Sequence, residues 1–345
     1  MAYTDIDNPS DYFSATLYTA NGTARTIATG HQSDWVWLKR RDGAAGHRIA
    51  DSVRGANKLL YSDSTTSEQS ASNTITGFVS TGFTLGDDSG GYDVNTSSNT
   101  MVAWSWKAGG SASSNSDGST TSSVSAGSTQ GFSIVSWTGT GSATTVGHGL
   151  GAVPKLIIVK NRDTARNWNV YYGDETDYLQ LNDDGATIDN DNKWNDTAPT
   201  SSVFTVNTSS DTNKSGDAMI AYCFANIKGY SKLGSYTANG NADGTFIYTG
   251  FRPAWVMIKR TDSSQQWGIV DSKRDVDNPA QHHLFAEASQ AEGGASSYNN
   301  FDLLSNGIKM RSNDQWTNAS GGTYVYMAFA ESPLVNSNGI PTNAR

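Results

Sequence analysis

The sequence predicts an all-β protein of three tandem, homologous β-sandwich units, jelly-roll or lectin-like, with short terminal arms. Three observations carry that expectation. Helix formers are scarce: 28 of the 33 acidic residues are Asp and 5 are Glu, and 14 Leu stand against 44 Ser and 35 Gly, a balance that favours turns and strands. The 10 Trp, 15 Tyr and 11 Phe stand beside Val, Ile and Thr, which suit pleated, half-buried surfaces. Finally, a fixed order of short motifs recurs three times, at a spacing of roughly 100 residues.

Each repeat opens on an aromatic strand end that runs into a glycine turn: Tyr18-Thr19-Ala20-Asn21-Gly22, Trp137-Thr138-Gly139-Thr140-Gly141 and Tyr236-Thr237-Ala238-Asn239-Gly240. Next comes an apolar strand with a polar end. It reads Trp35-Val36-Trp37-Leu38-Lys39-Arg40-Arg41-Asp42, then Leu156-Ile157-Ile158-Val159-Lys160-Asn161-Arg162-Asp163, then Trp255-Val256-Met257-Ile258-Lys259-Arg260-Thr261-Asp262. Both alternating faces are apolar, so this strand is expected to be central and covered on both sides. Lys39, Lys160 and Lys259, each with an Asp three residues on, read as structural surface ion pairs worth ~0–1 kcal/mol.

Five residues beyond that Asp stands His47, Trp168 or Trp267. The first and third copies then share Asp51-Ser52-Val53-Arg54 and Asp271-Ser272-Lys273-Arg274, which the second lacks. Each copy closes on an aromatic strand: Ala103-Trp104-Ser105-Trp106, Ala221-Tyr222-Cys223-Phe224 and Tyr326-Met327-Ala328-Phe329. The i, i+2 pairs Trp35/Trp37 and Trp104/Trp106 share a strand face and are assigned to the core. Cys223 aligns with Ser105 and Ala328 and reads as a small buried side chain.

The division expected is an N-terminal arm 1–13, units at 14–107, 131–228 and 229–330, a Gly/Ser/Thr-rich linker 108–130 and a tail 331–345. Composition alone makes the linker flexible, although something is expected to pin it. The second and third units, joined closely, are expected to pack together. The arm and tail look like segments that dock onto a neighbouring subunit.

Charge and motifs narrow the function. A net charge of −9, with 24 basic residues in no long run, argues against nucleic-acid binding; Lys39-Arg40-Arg41 reads as a solvated strand end. The N-terminus shows no basic-then-apolar secretion signal, and no run approaches the ~18 apolar residues of a membrane span. A single cysteine excludes intrachain disulfides and cysteine-based zinc sites. No nucleophile elbow, P-loop or zinc-protease pattern stands in its required context, and no catalytic residue is assigned. His282 and His283, adjacent in a strand, point to opposite faces. Asp183-Asp184-Gly185 and Asp189-Asn190-Asp191-Asn192 lack calcium-loop spacing and read as turns. No cofactor or metal is expected. Trp168, Trp194, Trp267 and Trp316 sit among polar residues near loops and are the candidate exposed contacts for a glycan or partner, since sugar rings stack on aromatic faces.

Taken together, these motifs resemble a family of virion proteins of marine tailed bacteriophages, with modules of the form Y-T-G-N-G, W-V-W-I-K-x-R-D and Y-V-A-Y-x-F-A. The opening Asp5-Ile6-Asp7-Asn8-Pro9-Ser10-Asp11-Tyr12-Phe13 and the closing Gly339-Ile340-Pro341-Thr342-Asn343-Ala344-Arg345 are similar to the ends of such proteins. The resemblance spans nearly the whole chain, with Ala20 and Ala238 where Gly is usual. It implies a non-enzymatic structural component of a phage particle, a tail fibre or related adhesion protein, located in the virion. The partners it implies are further copies of the chain, a trimer among them, other phage structural proteins, and a host-surface glycan or receptor. A capsid-decorating protein, or a sugar-binding module or glycan depolymerase, is the alternative. The family transfers no catalytic residues.

Overall fold

A computed structural model describes residues 4–293 and 300–341 of the chain; residues 1–3 of the arm and 342–345 of the tail lie outside them. In the first repeat the strands Phe13–Thr19, Thr100–Trp106, Trp35–Arg40 and Arg48–Asp51 lie side by side in that order, all antiparallel. The second places Phe132–Thr138, Ala218–Phe224, Leu156–Asn161 and Asn169–Tyr171 in the same order. The third does so with Ser231–Thr237, Thr323–Pro333, Phe251–Arg260 and Gly268–Asp271. These are called the opening, closing, central and fourth strands. Register is also shared: Trp35 faces Trp106, Leu156 faces Phe224 and Trp255 faces Phe329.

The two-sided apolar pattern of the central strand has two destinations. Val36 and Leu38 turn outward and meet Ile27, Phe83 and Leu85 of a small second sheet, which closes a sandwich over its own core. Val159 does the same with Val146 and Phe204 in the second unit, and Val256 and Ile258 with Ile247 and Ile308 in the third. The inward faces of all three main sheets meet in one further core, containing Trp35 and Trp104 from the first, Ile158 and Tyr222 from the second, and Trp255 and Phe329 from the third. Trp35 stacks on Tyr222 with ring centroids 4.7 Å apart, and Phe13 on Phe329 at 5.3 Å. Burying one such side chain contributes about 1.5–3 kcal/mol. The expected pairing of the second and third units therefore extends to the first: all three converge on a common centre.

One expectation is corrected, and the arm and tail are found to make contacts within the chain. Within the segment 108–130, Ser113–Asn115 and Ser122–Gly127 are strands that extend the second main sheet, with Val124 opposite Val135. Small and polar residues are tolerated because this hairpin lies at a sheet edge, where one side of the backbone faces water. The described residues of the arm and tail make contacts within the chain. Ile6 enters the common core, Asp5 donates its backbone N–H to Lys228 O at 3.2 Å, and Ser337 donates to Asp7 Oδ1 at 2.7 Å. The closing strand of the third unit runs through Pro333, opposite Phe251, so the tail begins as sheet.

Candidate functional site at the seams between units

Where the units meet, the same hydrogen bonds recur in one rotational sense: second onto first, first onto third, third onto second. Arg166 N donates to Thr65 O at 2.9 Å, Ala45 N to Ser289 O at 2.8 Å and Gln265 N to Asp184 O at 2.8 Å. Running the other way, Glu68 N donates to Arg162 O at 2.7 Å, Glu292 N to Arg41 O at 2.9 Å and Thr187 N to Thr261 O at 2.9 Å. The units thus close into a ring with approximate threefold symmetry inside one chain.

The repeated lysines belong to these seams. Lys39, Lys160 and Lys259 are buried, and each donates from Nζ to a carbonyl of the next unit: Ser289 O at 3.3 Å, Thr65 O at 3.0 Å and Asp184 O at 3.0 Å. Burial holds each ammonium down to about 8. They are structural, as expected, but they are not surface ion pairs. The following Asp42 instead pairs with Arg40 at 2.7 Å. Nor is Lys39-Arg40-Arg41 a wholly solvated strand end, because Arg41 reaches Glu292 of the third unit with bonds of 2.8 and 2.9 Å.

The four tryptophans expected at the surface are buried: Trp168 is 0% exposed, Trp267 1%, Trp194 2% and Trp316 3%. Trp168 Nε1 donates to Tyr61 O at 2.8 Å and Trp267 Nε1 to Gln180 O at 2.9 Å, both across seams. The aligned His47 completes the set, its Nε2 bonding Phe285 O at 2.9 Å while Nδ1 accepts from Trp37 Nε1 at 2.7 Å. That pattern places the proton on Nε2, and burial keeps the imidazole neutral by lowering its pKa well below the usual value. Trp194 packs edge-on to Tyr171 at 6.0 Å, and Trp316 covers Phe285 at 5.8 Å. Trp316 also lies where a Cβ on Gly268 would stand, 2.0 Å from its ring. Trp168, Trp194 and Trp267 line none of the clefts described here, whereas Trp316, though 3% exposed, borders a cavity of about 340 Å³ with His283, Phe285 and Asp314. For Trp168 and Trp267 polar neighbours do not mean exposure, because each turns its indole N–H to a carbonyl of another unit; Trp194 and Trp316 are covered by aromatic packing instead.

Two of the seams share an ion network built from the Asp-Ser-x-Arg motif. Asp271 accepts from Trp104 Nε1 of the first unit at 2.9 Å, and Asp51 accepts from Tyr222 Oη of the second at 2.7 Å. Arg274 and Arg54 pair with these carboxylates, whose side chains are fully buried, and each reaches a glutamate at 3.2 Å, Glu292 and Glu68. The next unit's Arg41 and Arg162 grip the same glutamates. Burial opposes the charge on Glu68 and Glu292, but these arginines outweigh it and hold both below the usual carboxylate range.

The third seam has none of this. Tyr172 stands in the Asp position, one residue beyond the Ile157–Tyr171 pair, with Glu175 in the Arg position. Thr187 and Thr261 occupy the places of the glutamate and the outer arginine, as their backbone bond shows. On the facing unit the donor of Trp104 and Tyr222 is replaced by Met327, which has none. A cleft of about 520 Å³ lies at this seam, bounded by Tyr172, Gly173 and Asp174 of the second unit and by Ser235, Thr237, Thr261 and Thr323 of the third, with Tyr324 among its walls. The signal for it in the sequence was the missing Asp-Ser-x-Arg of the second copy.

Other candidates resolve into structure. Asp183 Oδ1 accepts from Gly185 N at 2.7 Å, a turn as expected, and among the described residues no group of three His, Cys, Asp or Glu could hold a metal. Cys223 is buried, and burial raises its thiol pKa far above the ordinary value. Among the described residues no helix is long and apolar enough to cross a membrane. Comparison with curated proteins gives no significant match. The DUF7483 family, described as a domain of unknown function, matches residues 8–333 as one stretch, taking in all three units and their seams. The chain belongs to the DUF7483 family.

Proposed function

We propose that this protein is a non-enzymatic structural component of a bacteriophage particle, of the tail-fibre or attachment class. The observation that supports the reading is the closed ring of three β-sandwich units. Its repeated polar residues, which in an enzyme would be candidates for chemistry, are engaged in joining one unit to the next. A block whose units share one core and are joined by repeated seam bonds suits a part that transmits load. The motif resemblance to tailed-phage virion proteins supplies the biological setting. Mass spectrometry of purified virions from a phage encoding the protein is expected to find it as a stoichiometric component, and antibody labelling to place it on the tail. Its absence from particles would end the proposal.

A sugar-binding role is favoured by one further feature, the cleft at the third seam. A depolymerase would in addition release reducing ends from host polysaccharide; the purified protein is expected to release none.

A further inference from the structure

We infer that the cleft at the third seam is a binding site for a neutral saccharide. The inference deepens the attachment reading and rests on it only for the source of the sugar.

The argument begins with broken symmetry. In a fold that repeats its seams, residues required for closure recur, and the third seam departs at every place where the others carry the Asp–Arg–Glu–Arg network. An ion network that seals two seams is replaced by a phenol ring, hydroxyls and open volume. A shallower groove of about 490 Å³ lies at the same sheet end of the second unit, but Arg162 lines it and that guanidinium is committed to Glu68.

The lining chemistry selects the ligand. Tyr172 is half-buried, and its Oη donates to Asp177 Oδ2 at 3.2 Å, which fixes the ring in place. Asp174 Oδ1 accepts from Thr176 N at 3.1 Å and Thr176 Oγ1 at 2.8 Å, while Oδ2 makes no hydrogen bond among the described residues. Thr261 and Thr323 share a hydroxyl contact of 2.7 Å, while the hydroxyls of Ser235 and Thr237 make no hydrogen bond among the described residues. A held aromatic ring, several hydroxyls and one carboxylate that accepts hydrogen bonds match a ring bearing many O–H groups and C–H faces. Among the described residues no Lys or Arg lines the cleft, and Asp174 puts a negative charge in it, so uronic or sialic sugars are disfavoured. A volume of about 520 Å³ lies within the ~300–1,000 Å³ of small-ligand sites and admits one or two sugar rings.

The test uses the full chain. Saturation-transfer NMR and calorimetry are run with lactose, maltose and cellobiose, and with a uronic-acid disaccharide as the anionic probe. At least one neutral sugar is expected to bind at about millimolar strength, with the uronic sugar at least about tenfold weaker. Ser235→Tyr, which fills the cleft from an exposed strand position, is expected to weaken binding by more than about tenfold, and Asp174→Ala by about 3- to 10-fold. Circular dichroism checks that both variants fold, and Asp174→Ala decides alone if Ser235→Tyr does not. The inference is overturned if no neutral sugar binds at about 10 mM, if the uronic sugar binds better, or if the folded variants bind as well as the parent. Failure here leaves the virion reading standing, because that is decided on particles; absence from particles leaves the sugar titration standing.

Discussion

Glu287 accepts the backbone N–H of Trp267 at 3.1 Å, as Asp63 does for His47 at 3.0 Å and Asn182 for Trp168 at 2.7 Å. One position in the repeat thus tolerates a carboxylate or a neutral amide. Burial pushes the Glu287 carboxyl up to about 7 from an ordinary 4.5, and its Oε1 has no hydrogen-bond partner among the described residues. Between those two values the folded protein holds a proton that the unfolded chain has released, so this group makes stability fall as pH rises from about 4.5 to about 7. Glu287→Gln is expected to remove that slope. Urea midpoints at pH 5 and pH 8 should differ less in the variant, with a gain at pH 8 of about 1–3 kcal/mol relative to its effect at pH 5. An unchanged slope would show that the carboxyl titrates normally. At this scale the sequence displayed positions but not roles. The alignment of His47 with Trp168 and Trp267 was visible, whereas the carbonyl each one meets belongs to another unit and has no local signature.

The segment 108–130 shows how an element can be misjudged from composition. Gly, Ser and Thr predict a flexible chain because they bury little apolar surface, yet here the strands pair by backbone hydrogen bonds that need no particular side chain. Gly109 lies so close to the Ser122–Gly127 strand that a Cβ would stand 2.3 Å from Ala126 O. Gly109→Ala is therefore expected to destabilise the protein by about 1–3 kcal/mol, the usual cost of forcing an atom into packed structure. A shift in the denaturation midpoint checks this, and no shift would mean the segment moves freely. The central strands, by contrast, were legible: two apolar faces announced two layers of cover, and each has its own core. What the pattern left open was that the inner layer is shared by three units.

That shared core makes the whole molecule one cooperative body. A unit cut out at 131–228 would expose Phe132, Ile134, Ile158, Tyr222 and Phe224, all buried in the centre. Independent units would unfold in steps. Here tryptophan fluorescence and far-ultraviolet circular dichroism are expected to report a single, coincident urea transition. Separate transitions would contradict the common core as the main source of stability. The sequence by itself determined the strand content, the threefold repeat and the strand faces, because turn chemistry, repeated motifs and alternation are local. It also carried the one irregularity, the missing Asp-Ser-x-Arg, without its meaning. Only the tertiary structure decided that the repeats form a ring, that the lysines and tryptophans close its seams, and that the irregular seam holds a cleft. Those outcomes depend on groups from different units meeting although they lie far apart in the chain, as Lys259 meets Asp184 at a separation of 75 and Lys160 meets Thr65 at 95, and no local pattern encodes such a meeting.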